Sequence, residues 1–190
     1  LFPATIELSV CAILFALAIG LPAGIIAAVR RNSVFDHGVM GVSLTGYSMP
    51  IFWWGLVLIM VFSVDLGLTP VSGRIAIEYD IEARTGFMLI DTVLSGEAGA
   101  FTSALRHLLL PALVLGTVPM AVIARMTRSS LLEVLREDYV RTARAKGLQE
   151  RKVINKYAVR AAINPVVSVM AMEVPKIISS SILIGVVMSI

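Results

Sequence analysis

One cysteine in 190 residues excludes an internal disulfide. Cys11 lies inside an apolar run and reads as a small core hydrophobe. The two histidines, His37 and His107, stand alone near the ends of apolar runs. No Ser/His/Asp or metal-spaced set accompanies them, so neither a catalytic site nor a metal site is expected. No G-x-x-x-x-G-K-S/T run is present, which excludes the phosphate loop of an ATPase. Charge is scarce too, at 15% of residues against 57% hydrophobic, with mean hydropathy +0.88. A soluble domain of this length would expose far more charge, so the composition predicts a polytopic membrane protein. The start lacks the basic region and small-residue cleavage site of a signal peptide. Leu1-Phe2-Pro3 carries no initiator Met and Ser189-Ile190 ends inside an apolar run. Both ends are therefore expected to be cuts through a longer protein.

What is present is apolar length. About 20 apolar residues cross a bilayer core as a helix, and four stretches qualify: 8–29, 39–64, 108–124 and 163–190. Pro22, Pro50, Pro119 and Pro175 fall in or near them. A proline inside a span frees a carbonyl that lipid cannot satisfy, so neighbouring helices or a lined cavity are expected there. Arg30 and Arg31 follow the first span, and ten Lys or Arg residues crowd 125–162. Segment 65–106 instead carries Arg74, Arg84 and Arg106 against six carboxylates. The positive-inside rule then puts 30–38 and 125–162 in the cytoplasm and 65–106 outside, with both ends of the chain facing outward. The external loop is long enough to fold against the outer mouth, and its apolar patch Phe87-Met88-Leu89-Ile90 suits that.

The cytoplasmic segment 125–162 is more than a charged tether. Leu131, Leu135, Tyr139 and Ala143 recur at helical spacing and predict an extension of the third span. Gly147 breaks it, as a residue able to take positive φ beyond a helix end. Val153, Ile154, Tyr157, Ala158 and Ala161 then share a face of a second helix. Two short helices joined at a glycine make a compact knob. Three readings compete for it. It is a topology anchor touching anionic lipid, a nucleic-acid site, or a dock for a cytoplasmic subunit. Nucleic acid fits poorly, because no aromatic platform accompanies the basic residues. Composition does not decide between the other two.

Sequence resemblance does. Asp138 to Leu148 reads D-Y-V-R-T-A-R-A-K-G-L, which resembles the EAA loop of ABC importer membrane subunits of the peptide/nickel branch. Ser48-Met49-Pro50-Ile51-Phe52-Trp53-Trp54-Gly55 is similar to that branch's S-x-P-x-F-W-x-G stretch. Leu68 to Arg74 is similar to its L-x-P-x-S-G-R loop. Gly86 to Asp91, Leu109-Leu110-Pro111-Ala112 and Ile123 to Arg128 resemble dipeptide or glutathione permeases in particular.

The resemblance implies an all-α, polytopic transmembrane helical bundle of the methionine-importer-like permease fold, with about four of six spans in this single domain. It implies a bacterial or archaeal inner membrane. Its implied partners are a second homologous permease, two cytoplasmic ABC ATPases and an external substrate-binding protein, with membrane lipid around them and no nucleic acid. ATP and magnesium would belong to the ATPases, leaving no cofactor here and no enzymatic site. The knob would be the coupling helix, with 137–165 as the coupling region. Asp138, Tyr139, Arg141, Thr142, Ala143, Arg144, Ala145, Lys146 and Gly147 would touch the ATPase. Within that set Thr142, Ala143 and Ala145 are expected to allow close approach, and Arg141, Arg144 and Lys146 to make polar contacts. Ser48, Pro50, Glu173, Lys176 and Ser180 are candidate pathway-lining residues. Charges at membrane depth usually face a bundle interior or a watery path, though Glu173 and Lys176 read equally as a neutralising i, i+3 pair or as side chains snorkelling to the cytoplasmic boundary. The implied cargo is a di- or oligopeptide. Departures in the fourth span (Met172 to Lys176, Ser179 to Ser181 and Gly185 in place of a Gly-rich run with a glutamate) leave nickel, glutathione, an opine or a sugar open. An ATP-independent secondary transporter or a membrane scaffold are the readings from other classes.

Overall fold

The computed structural model describes residues 2–188 apart from Ala83, with side chains through Val186. Its elements, all helical among the described residues, are α1 (Phe2–Val29), α2 (Val34–Ser48), α3 (Ile51–Leu58, continued by a π-helical turn Ile59–Asp65), α4 (Met88–Ser95), α5 (Ala100–Val134), α6 (Asp138–Ala145), α7 (Glu150–Lys152, continued by a π-helical turn Val153–Ala158) and α8 (Val159–Met188). Three stretches are long and apolar enough to cross a membrane: Phe2–Val29, Ala100–Val134 and Glu150–Val186. The expected second span, 39–64, is two helices interrupted at Met49 and Pro50. Pro50 is the N-cap of α3 with φ −59° and ψ 131°; it donates no N–H and disfavours helical backbone before it, so the break falls where the sequence dictates. Ser189 and Ile190, the last positions of the expected fourth span, lie outside the described residues.

The chain divides into two compact units. The first comprises 1–15, 49–116 and 174–190. Its core gathers Leu8, Ala12, Leu58, Leu115, Ile177 and Ile184. Here Gly116 lets two backbones meet: a Cβ on it would stand 2.9 Å from the Ala12 carbonyl oxygen and 2.8 Å from Phe15 Cδ1. The expected external loop is folded rather than loose. Glu7 of α1 is buried and accepts the amides of Met88 and Leu89, at 3.2 and 2.7 Å, so its carboxylate caps α4. Arg74 joins Glu7 at 3.3 Å and reaches the Gly86 carbonyl at 3.1 Å. Asp91 accepts the Thr85 hydroxyl at 2.7 Å and the amides of Thr85 and Gly86 at 2.9 and 3.0 Å. Those bonds, the Thr85 hydroxyl foremost, hold its carboxyl below the usual carboxylate range.

The second unit comprises 16–48 and 117–173. Gly20 and Gly24 of α1 lie against α5, where Cβ atoms would fall 2.9 Å from the Met120 oxygen and 2.5 Å from the Ala124 oxygen. Asp36 is buried and accepts Arg128 through both guanidinium nitrogens that face it, Nε and Nη2, the latter at 2.7 Å. The same carboxylate accepts the Asn32 amide at 3.0 Å, while Ser33 Oγ accepts the Asp36 amide at 3.2 Å. This closes the α1–α2 turn, in which Asn32 takes φ 62°, and ties it to α5. The Asn32 amide adds to the two guanidinium contacts on this carboxylate, which offsets part of the cost of burying it.

Close approach at Gly24 gives a direct test. Gly24→Ala is expected to lower the unfolding temperature of the full-length protein in detergent, through an overpacking cost of roughly 1–3 kcal/mol. Gly38→Ala, whose Cβ would meet nothing within 4 Å, is expected to be neutral or slightly stabilising. Differential scanning fluorimetry of both variants decides it, and equal midpoints would contradict the packing.

Candidate docking site

The basic segment folds into a knob seated on the rest of the second unit. α5 ends at Val134, and Leu135 to Glu137 turn the chain before α6 begins. The helical stripe predicted to run unbroken through 131–143 is therefore interrupted. Leu131 and Ala143 are buried as the stripe requires, but Tyr139 is rotated outward and 44% exposed. Glu137 caps α6 from an extended backbone, φ −66° and ψ 148°. Val140 and Ala143, on the inner face of α6, pack with Val153 and with Val134 and Leu135. Leu135 and Val134 also border a second cluster built from Ala28, Leu131, Ala158 and Ala162. The knob thus shares a core with α1, α5 and α8.

Its second limb is wound more widely than an α-helix. In the π-helical turn Val153–Ala158, residues five apart align, which is why Val153 and Ala158 are both fully buried. Tyr157, predicted to share that inner face, is 37% exposed. Gly147 joins the limbs with φ 75°, and its amide donates to the Arg144 carbonyl at 2.9 Å. Arg144 then reaches across the turn to Glu150, with Nη2 2.6 Å from Oε1 and Nε 3.1 Å from Oε2. That fork is geometrically specific, and the carboxylate raises the guanidinium's already high pKa.

One of the sequence expectations changes in consequence. Ala143 is 6% exposed and packs inward, so its small size serves the knob's own core and not a partner's approach. Arg144 is engaged within the chain by Glu150. Asp138, Tyr139, Arg141, Thr142, Ala145, Lys146 and Gly147 are exposed. Arg141 makes only a loose contact with Asp138, at 3.6 Å on the open face, and the Thr142 hydroxyl donates to the Asp138 carbonyl at 2.9 Å. The outward surface is hence a tyrosine ring and two cations around small residues.

The other candidates lie elsewhere. Ser48 ends α2, exposed, its hydroxyl bonded to the Leu44 carbonyl at 2.8 Å, and Pro50 caps α3. Glu173, Lys176 and Ser180 lie along α8, buried, exposed and half-buried in turn. Among the described residues no three His, Cys, Asp or Glu side chains are grouped to hold a metal. Sequence reasoning missed Glu7, Asp36 and Glu150 as anchors. Glu7 had a signal, being a lone carboxylate in an apolar helix that requires a partner. Asp36 had one in Ser33-x-x-Asp36, a helix-start pattern.

Comparison with known proteins decides the class. Residues 20–190 match the family described as binding-protein-dependent transport system inner membrane component. The chain is a member of that family. This inner membrane component is 65% identical over 183 residues to the di/tripeptide transport system permease protein DppB of Pseudomonas aeruginosa, covering 96% of this chain and 54% of that protein. It is 57% identical over 185 residues to the dipeptide transport system permease protein DppB of Escherichia coli, covering 96% and 55%. It is 38% identical over 182 residues to the oligopeptide transport system permease protein AppB of Bacillus subtilis, covering 96% and 52%. The chain spans about half the length of these curated relatives.

The geometry separates an inward from an outward face of the knob in this inner membrane component. Ala143→Phe should destabilise the knob by roughly 1–3 kcal/mol through overpacking, whereas Ala145→Phe should leave the fold unchanged. Limited proteolysis of the full-length protein in the 135–158 region reads this out. Equal resistance of both variants would contradict the inward placement of Ala143.

Proposed function

We propose that this chain is the membrane-spanning part of a peptide importer driven by ATP, that it lines half of a translocation pathway for di- or oligopeptides, and that α6 and the Gly147 turn dock on a cytoplasmic ATPase. One observation carries the reading: in a chain of this family, the segment D-Y-V-R-T-A-R-A-K-G-L is a folded knob with Tyr139, Arg141, Thr142, Ala145 and Lys146 turned outward. A docking element must both bind and transmit force. Exposure of these side chains serves the first, and the shared core with α5 and α8 serves the second.

In this reading a second permease subunit completes the pathway, two ATPases carry the ATP and magnesium, and an external binding protein delivers the peptide. Reaction chemistry belongs to the ATPases. The chain's own contribution is a two-state helical bundle in a bacterial or archaeal inner membrane, switched between openings by movement at the knob. Ser48 and Pro50, at the break in the second span, and Glu173, Lys176 and Ser180 on α8 would line the route.

The test is Arg141→Glu/Lys146→Glu in the full-length protein, co-expressed with its partner subunits and reconstituted into liposomes. Uptake of a labelled dipeptide and peptide-stimulated ATP hydrolysis should both fall by about tenfold or more, as expected for loss of charged contacts at an interface centre. Membrane insertion should stay at the wild-type level. Wild-type uptake in the variant would overturn the docking assignment. Uptake of nickel or glutathione in place of dipeptide by the wild type would overturn the cargo while leaving the docking site standing.

A further inference from the structure

A groove of about 380 Å³ opens in the second unit where α1, α2 and the π-helical turn after α7 converge. Its floor is apolar, formed by Ile25, Ile26, Val29 and Ile154, and Arg30, Arg151 and Asn155 stand at its edge. No ion pair to either arginine is among those of the described residues. Phe35 lines this groove and also a second hollow of about 300 Å³, whose walls include Ile19, Ala23, Val39, Val42 and Met120. From Val29 back to Ile19, α1 rises about 15 Å at 1.5 Å per residue. That is the depth of one leaflet, half of a hydrocarbon core roughly 30 Å thick.

We propose that the two hollows form one binding site for an anionic phospholipid of the cytoplasmic leaflet, its phosphate held by Arg30, Arg151 and Asn155 and one acyl chain lying along α1 past Phe35. Three features converge on this ligand class. The charged end lies on the side that the Lys and Arg distribution puts in the cytoplasm, at headgroup level just after α1 ends. The trough beyond it offers almost no polar group, which suits an acyl chain and not a soluble anion. Two cations with no ion pair among the described residues complement a single phosphodiester. The turn that presents Arg30 is itself fixed, because Asn32 donates to Asp36 and Asp36 is clamped by Arg128.

The test uses the full-length protein with its partner subunits in nanodiscs, probed by electron spin resonance with spin-labelled phosphatidylglycerol and, separately, spin-labelled phosphatidylcholine. The wild type should show a motionally restricted fraction that favours phosphatidylglycerol. Arg30→Gln/Arg151→Gln should reduce that preference roughly tenfold or more, from two near-surface cations. Gly38→Trp fills the trough from a position whose Cβ meets nothing within 4 Å. It should remove the restricted fraction for both lipids without changing the charge. Size-exclusion profiles establish that the variants assemble. Undiminished preference in the double glutamine variant would overturn the proposal. Full displacement by millimolar inorganic phosphate would do so too, marking an anion site without a tail. Capture of a protein segment, and not lipid, by a photo-crosslinker at Val29 would assign the groove to a partner subunit.

Discussion

Within each of the two units, glycines bring the backbones of α1 and α5 together, and the packing of that unit depends on this close approach. In hydrocarbon, apolar side chains gain little by leaving lipid for protein, so helices hold together by backbone proximity and van der Waals contact. α1 supplies a small residue every fourth position, Ala12, Ala16, Gly20, Gly24 and Ala28, all buried. Within the first unit Gly116 meets Ala12 and Phe15; within the second, Gly20 and Gly24 meet the carbonyls of α5. No side chain larger than hydrogen fits at these glycines without moving a helix. Glu7 on α1 fixes the folded segment that carries Arg74 and α4, and Arg128 on α5 fixes the α1–α2 turn.

The knob inherits its rigidity from the same pair of helices. Leu131 at the end of α5 and Ala28 at the end of α1 share a cluster with Ala158 and Ala162, so the knob's second limb is part of a continuous core. Arg144 and Glu150 then close the Gly147 turn from the outside. An exposed pair of this kind adds little to stability by itself. Its bidentate geometry fixes the angle between the two limbs. Under the proposed function, a push on Tyr139 or Arg141 reaches α5 and α8 through packed side chains and not through a slack loop.

Much of this was legible beforehand, and the misses have physical causes. The apolar runs gave the spans, but hydropathy windows end at charges and helices do not. The third span, expected at 108–124, is a helix from Ala100 to Val134, because Arg128 is neutralised by Asp36 and Arg125 lies over the Tyr47 ring at 5.4 Å. The second span, expected to run unbroken through 39–64, is interrupted at Met49 and Pro50; the sequence reading of Pro50 is packing or a lined cavity, not a break. The knob was legible as two limbs and a glycine. Which of its faces is outward was not, since that reading assumed one unbroken 3.6-residue period. The turn at Leu135 to Glu137 and the π-helical winding at Val153–Ala158 each shift the register, which turns Tyr139 and Tyr157 out. Glu150 escaped notice because its partner is six residues away across a turn, outside any helical pairing rule.

The central claim is that the outward face of α6 is a preformed surface for a cytoplasmic ATPase. Hydrogen–deuterium exchange of the full-length protein, alone and in complex with its ATPase, tests it most directly. A preformed knob predicts slow exchange at Val140 to Ala145 in the absence of the ATPase. It also predicts further protection on binding, confined to 138–147 and leaving the inner limb at Val153–Ala158 unchanged. Fast exchange throughout 138–158 in the free protein, or binding that leaves 138–147 as exposed as before, would contradict it.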